Sequence, residues 1–73
     1  METKIYLKGL KAKRKALGLS QSALAEQLAI TQAAVTAWEC GEKLPAADRL
    51  PELASILGCS IDELYVDPEE VAV

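Results

Sequence analysis

The sequence predicts an all-α protein, a compact five-helix bundle, and three observations carry that expectation. The chain is 51% hydrophobic by the inclusive count yet holds no Phe, one Trp and two Tyr, so its core has to be built from Leu, Ile, Val and Ala. Leu and Ala are the best helix formers, and the aromatic and β-branched residues that fill sheets are sparse. The apolar positions recur at helical spacing. The periodic runs are bracketed by helix-capping residues, with Ser, Thr or Asp at their starts and Gly or Pro at their ends. Seventy-three residues suffice for one domain and not for a second beside it. The expected organisation is a domain over residues 1–66 and a short acidic tail over 67–73 that frays.

From Ile5 to Leu17, Leu7, Leu10, Arg14 and Leu17 fall on one helical stripe, and Gly18 stops the helix. Ser20 caps a second helix of about two turns, with Leu24, Ala25 and Leu28 on its buried side. Ala29, Ile30 and Thr31 separate it from a third helix, which Thr31 caps and which reaches Glu39, burying Val35 and Trp38. Gly41 closes that helix, and residues 42–45 form a loop. Leu50, Leu53, Ala54 and Leu57 define a fourth helix ended by Gly58. Pro51 is tolerated only in a first turn, which places the cap near Asp48. Ser60-Ile61-Asp62-Glu63 has the form of a capping box and opens a short fifth helix that ends before Asp67-Pro68. Two-turn helices are marginal alone in water, so the packing of these stripes has to supply the stability.

The composition argues against several functions. No stretch approaches the roughly 18 apolar residues of a membrane span, and the N-terminus lacks the apolar core of a secretory signal. The expected location is cytoplasmic. Cys40 and Cys59 have no His to complete a zinc set and are expected to be reduced, Cys59 as a small core hydrophobe and Cys40 as an incidental helix-end residue. No metal, cofactor or small-molecule ligand is expected. An enzyme is not expected either: the chain has no His for proton transfer and no Gly-rich phosphate loop, and Ser20 and Ser60 read as caps. The net charge of −3 is unevenly spread. Residues 1–43 carry seven bases and four acids, a net of +3, whereas residues 44–73 carry Arg49 and seven acids, a net of −6.

The informative constellation is the pair of short helices joined by three residues over 20–40. Ala25 permits close approach, and Leu24, Leu28, Ile30, Val35 and Trp38 lock the crossing, leaving Gln32, Ala33, Thr36 and Ala37 on the outer face of the second helix. That face is polar, uncharged and slim, which suits a DNA major groove. Here the sequence resembles the Cro and phage-repressor (XRE) type of helix-turn-helix regulators over about residues 5–65. The likeness rests on Leu19-Ser20-Gln21 before Leu24-Ala25, on Trp38-Glu39-Cys40-Gly41 at the end of the third helix, and on Leu57-Gly58-Cys59-Ser60. The resemblance implies a lambda-repressor-like domain with helices two and three as the helix-turn-helix, acting as a sequence-specific transcriptional regulator, a repressor, on double-stranded DNA.

Carried over by position, the resemblance makes Gln32 the reader of adenine, its amide donating and accepting at the N6 and N7 edge. Ala33 and Ala37 would lie against thymine methyls, and Thr36 would serve either purpose. Gln21 matches a residue that binds phosphate and buttresses position 32. Ser20, Lys43 and the N-terminal ends of helices two and four would hold phosphates without reading sequence. Lys8, Lys11, Lys13 and Lys15 stay open between solvated surface and backbone contact. Arg14 is implied to pair with Glu39 in a structural tie. Two departures stand out. The family's turn usually carries Gly where Ala29 stands, and a left-handed Ala there is less favourable than Gly by about 1 kcal/mol. The reading face also lacks Arg and Lys, so the operator is expected to be A·T-containing, and modest affinity per monomer points to a palindromic site and a homodimer. The acidic half, with Leu64, Tyr65 and Val66, offers a self-association or partner surface. The alternative function is an antitoxin-like module that binds a protein partner through that half.

Overall fold

The computed structural model describes residues 5–67, and these form α1 (Leu10–Ala16), α2 (Gln21–Leu28), α3 (Gln32–Cys40), α4 (Arg49–Leu57) and α5 (Ile61–Leu64) with no strand among them. The tail expected over 67–73 lies outside the described residues except for Asp67. One core joins all five helices: Leu7, Leu10, Leu24, Ala25, Leu28, Val35, Trp38, Leu53, Ala54, Leu57 and Leu64 are buried, with Leu19, Ile30, Leu50, Ile56, Cys59 and Tyr65 packed around them. None of the described helices is long and apolar enough to cross a membrane.

The caps set the helix boundaries. Ser20 accepts the Ala23 N–H at 3.0 Å and Thr31 the Ala34 N–H at 3.2 Å. Ser60 and Glu63 close both halves of a capping box, at 3.2 Å and 2.9 Å, around the single turn of α5. Asp48 takes the N-cap position of α4 but makes no side-chain cap bond. Gly18, Gly41 and Gly58 lie in the left-handed region where α1, α3 and α4 end.

The first helix is shorter than the periodicity predicts. Leu7 and Arg14 are buried as expected, but the helix starts only at Leu10, and Leu17 is 52% exposed. Gly9 explains the late start. Its N–H donates to the Leu64 carbonyl at 2.9 Å, and a Cβ there would collide with the carbonyl oxygens of Glu63 and Val66. The chain therefore docks on α5 by its bare backbone before it can coil. At the other end, Leu17 is the C-cap and Leu19, past the Gly18 turn, packs on the core in its place. A second correction concerns the C-terminal apolar residues. Leu64 is fully buried and Tyr65 packs on the core, so of the proposed surface trio only Val66 is substantially exposed. Cys59 is half-buried and Cys40 exposed, both as free thiols. Burial pushes the Cys59 thiol pKa up, reinforced by the Glu63 carboxylate and opposed by Lys13.

Among the described residues, backbone strain falls in the α2–α3 turn. Ala29 has φ 57° and ψ 42°, and is the only described residue other than glycine with positive φ. Its geometry is held by two bonds back to α2, Ile30 N–H to the Ala25 carbonyl at 3.0 Å and Ala29 N–H to the Glu26 carbonyl at 3.1 Å. Arg49 adds a clamp from α4, donating to the Leu28 carbonyl at 2.8 Å. Ala29→Gly is expected to stabilise the protein by about 1 kcal/mol. A urea midpoint that does not rise would show that Ala is unstrained in this turn.

Candidate nucleic-acid interface

The candidate interface is the outer face of α3 with the first turn of α2 beside it. Thr31 caps α3 so that its first residue, Gln32, emerges at the free end of the helix, while Val35 and Trp38 pull the opposite side into the core. Gln32, Ala33 and Thr36 are exposed and Ala37 is half-buried. The four residues expected to read bases thus share the side of α3 away from the core. Ser20 is exposed at the α2 N-terminus and Gln21 half-buried next to it. Lys43 is exposed in the loop after α3, its backbone N–H directed at the Ala37 carbonyl at 3.3 Å.

A chain of polar contacts runs from the core to this face. Arg14 donates through Nε to Glu39 Oε2 at 2.6 Å, through Nη2 to Glu39 Oε1 at 3.1 Å, and through Nη1 to the Leu19 carbonyl at 2.8 Å. The two side chains are 8% and 5% exposed. This is the two-pronged geometry that makes Arg a strong partner for a carboxylate. The hydrogen bonds to Glu39 raise the Arg14 pKa above its ordinary value, outweighing the opposing effect of burial. Glu39 also accepts from Gln21 Nε2 at 3.0 Å. Gln21 Oε1 in turn accepts from Thr36 Oγ1 at 2.8 Å and from Gln32 Nε2 at 3.4 Å. Thr36 Oγ1 also stands 3.1 Å from the Gln32 carbonyl, so its one proton serves a single acceptor at a time. Ser22 Oγ closes the far end, donating to Gln32 Oε1 at 2.8 Å. Among the described residues no buried side-chain N or O lacks a partner.

Two participants were not legible in the sequence. Ser22 has no role assigned to it from the sequence, and only the crossing of α2 over α3 brings it to a glutamine ten positions on. Arg49 reads as a lone base in an acidic half, yet it clamps the end of α2 and bridges Glu52 at 3.0 Å.

Electrostatics sorts the remaining expectations. Lys13 pairs with Glu63 of α5 at 3.3 Å. The Ser60 backbone N–H and, after it, Lys13 hold the Glu63 carboxyl below the usual range. The α4 N-terminus carries Asp48 and, in its first turn, Glu52, and these acids oppose a phosphate there. The α2 N-terminus has no acid in its first turn.

The helix-turn-helix family model matches residues 10–64. Repressor protein C2 of Salmonella phage P22 is 33% identical over 64 residues, covering 88% of this chain and 30% of the repressor. Among solved structures, hydroxypropylphosphonic acid epoxidase from S. wedmorenis superposes with a TM-score of 0.74 at 36% identity, over 88% of this chain and 36% of the epoxidase. The Fe(II)-HppE structure with the alternative substrate (S)-1-HPP gives 0.73 at 36% identity, over 88% of this chain and 35% of that one. The chain therefore spans about a third of the length of each of these relatives.

Because Arg14 and Glu39 are buried against each other, removing one strands the other's charge. Arg14→Met or Glu39→Leu alone is expected to lower stability by about 3 kcal/mol, and the double variant by less than the sum. Urea unfolding of the four proteins tests this. Single variants with unchanged midpoints would show that the pair does not tie α1 to α3.

Proposed function

This chain belongs to the Cro/C1-type helix-turn-helix family, and from that premise we propose that it is a sequence-specific double-stranded DNA-binding regulator that acts as a repressor. The observation that carries the reading is the state of Gln32. It stands exposed at the start of α3 with one Nε2 proton and one Oε1 lone pair engaged by Gln21 and Ser22, and so retains one donor and one acceptor. An adenine edge needs that pair in the major groove. Ala33 and Ala37 are small enough to let the helix approach closely and to meet thymine methyls, and Thr36 adds a hydroxyl.

Gln21 keeps one N–H beyond its bond to Glu39, which suits a phosphate oxygen. Ser20 at the α2 N-terminus and Lys43 in the loop after α3 supply further phosphate contacts. With no Arg or Lys on the reading face, the operator contains A·T pairs at the contacted positions. A homodimer on a palindrome compensates for the modest affinity of one copy. The domain itself carries no catalysis in this reading. The hydroxyl oxygens of Ser20, Thr31 and Ser60 accept backbone N–H bonds as helix caps.

A second reading, binding of a protein partner through the acidic half, is supported by the net −6 over residues 44–73. The test is selection from a random duplex library, followed by anisotropy titration of the enriched site at two salt concentrations. The expected result is an A·T-containing palindrome, bound in a salt-dependent way, with Gln32→Ala losing preference at one base pair per half-site while phosphate-driven binding persists. No enriched site, with affinity at the nonspecific level, would favour the protein partner.

A further inference from the structure

We propose that Glu39, a buried carboxylate with no place on the reading face, sets the base preference of Gln32 by fixing the amide polarity of Gln21 and, through it, of Gln32. The inference rests on the DNA-reading role given to Gln32 and adds what decides which way that side chain reads.

A glutamine amide is nearly symmetric in shape and opposite in chemistry at its two ends, so its orientation is settled by its partners. The partners here form a directed series. An ionised carboxylate can only accept, and Arg14 donates to both Glu39 oxygens. Gln21, 3.0 Å from Glu39 Oε1, must therefore turn its NH2 inward and its oxygen outward. That oxygen is also acceptor-only. It takes the Thr36 hydroxyl at 2.8 Å and obliges Gln32 to turn its own NH2 toward it at 3.4 Å. Gln32 Oε1 is left on the side of Ser22, whose hydroxyl can donate or accept and so follows the orientation without imposing it.

The reversed arrangement would set two acceptors against each other at Gln21 and Glu39, or at Gln32 and Gln21. Gln32 is thus delivered with its donor toward Gln21 and its acceptor toward Ser22. A purine edge that needs donor and acceptor in this order is favoured, and one that needs two donors, as guanine does, is refused. Glu39 is a positioning residue, and its effect falls on discrimination between bases.

The test uses the whole chain and the site enriched by it, with the base pair that Gln32→Ala identifies changed in turn to the other three. In Gln21→Met the outward acceptor is gone, and in Glu39→Gln the inner partner can donate as well as accept. Each is expected to lose about fivefold or more of the adenine preference at that pair while discrimination elsewhere in the site is kept, whereas Ser22→Ala retains the preference. Gln21→Met leaves the ion pair in place and so covers the case in which Glu39→Gln does not fold. Full adenine preference in Gln21→Met overturns the inference.

A second measurement is independent of DNA. In the free protein the Gln21 NH2 protons are expected to give stronger nuclear Overhauser contacts to the Arg14 guanidinium than to the Thr36 side chain, because the NH2 end of the amide and not its oxygen faces Glu39. The opposite pattern overturns the polarity even if the site is enriched. If the wild-type chain enriches no site, or Gln32→Ala changes no base preference, the DNA-reading role fails with it. The Overhauser pattern then decides the polarity by itself.

Discussion

The ion pair between Arg14 and Glu39 is the constraint on which the rest of the arrangement depends. It joins the C-terminal half of α1 to the end of α3, through a side chain that also holds the Leu19 carbonyl just before α2 begins. Three helices are thereby referred to one guanidinium. Two charges withdrawn from water gain little net stability even when well paired, because their desolvation offsets most of the attraction. What the pair supplies is position. Aliphatic side chains pack well in more than one register, whereas a two-pronged contact has one geometry. In a core made of Leu, Ala and Val with one tryptophan, that contact fixes the orientation of α3 relative to α1 and α2.

The turn between α2 and α3 works under the same demand for geometry over ease. An alanine sits in the left-handed region because the three-residue connection must reverse the chain there, and the Ala25, Glu26 and Leu28 carbonyls are occupied by Ile30, Ala29 and Arg49. The strain is tolerated because Leu24, Leu28 and Val35 are already fully enclosed on either side of the turn. The result is a short α3 whose inner face is immobilised by packing and whose outer face holds small and amide side chains.

Charge follows the same division. The excess of bases lies in the first half of the chain, with α1, the α2 N-terminus and the loop holding Lys43. The excess of acids lies in the second half, where Asp48 and Glu52 stand at the start of α4 and Asp62 and Glu63 on α5, with Glu63 engaged by its own capping box and by Lys13. A DNA-binding role for a protein of net charge −3 is therefore physically consistent, since a polyanion responds to the local field of the face it meets.

Most of the fold was legible in the sequence. The caps at Ser20, Thr31 and Ser60, the buried stripes of α2 to α4 and the face shared by Gln32, Ala33 and Thr36 all follow from local rules, namely which side chains can satisfy a free N–H and which positions a period of 3.6 brings together. Other features depend on where one helix meets another. Gly9 breaks the expected start of α1 only because the α5 backbone lies against it, Leu17 leaves the stripe because Leu19 takes its place, and Leu64 is core because α5 turns inward. The link from Glu39 through Gln21 to Gln32 belongs to the same class. Sequence alone established five helices, the caps at Ser20, Thr31 and Ser60, and the residues on the outer face of α3. The tertiary structure decided which polar atoms meet, because hydrogen bonds between helices depend on distances of a few tenths of an ångström that no periodicity encodes.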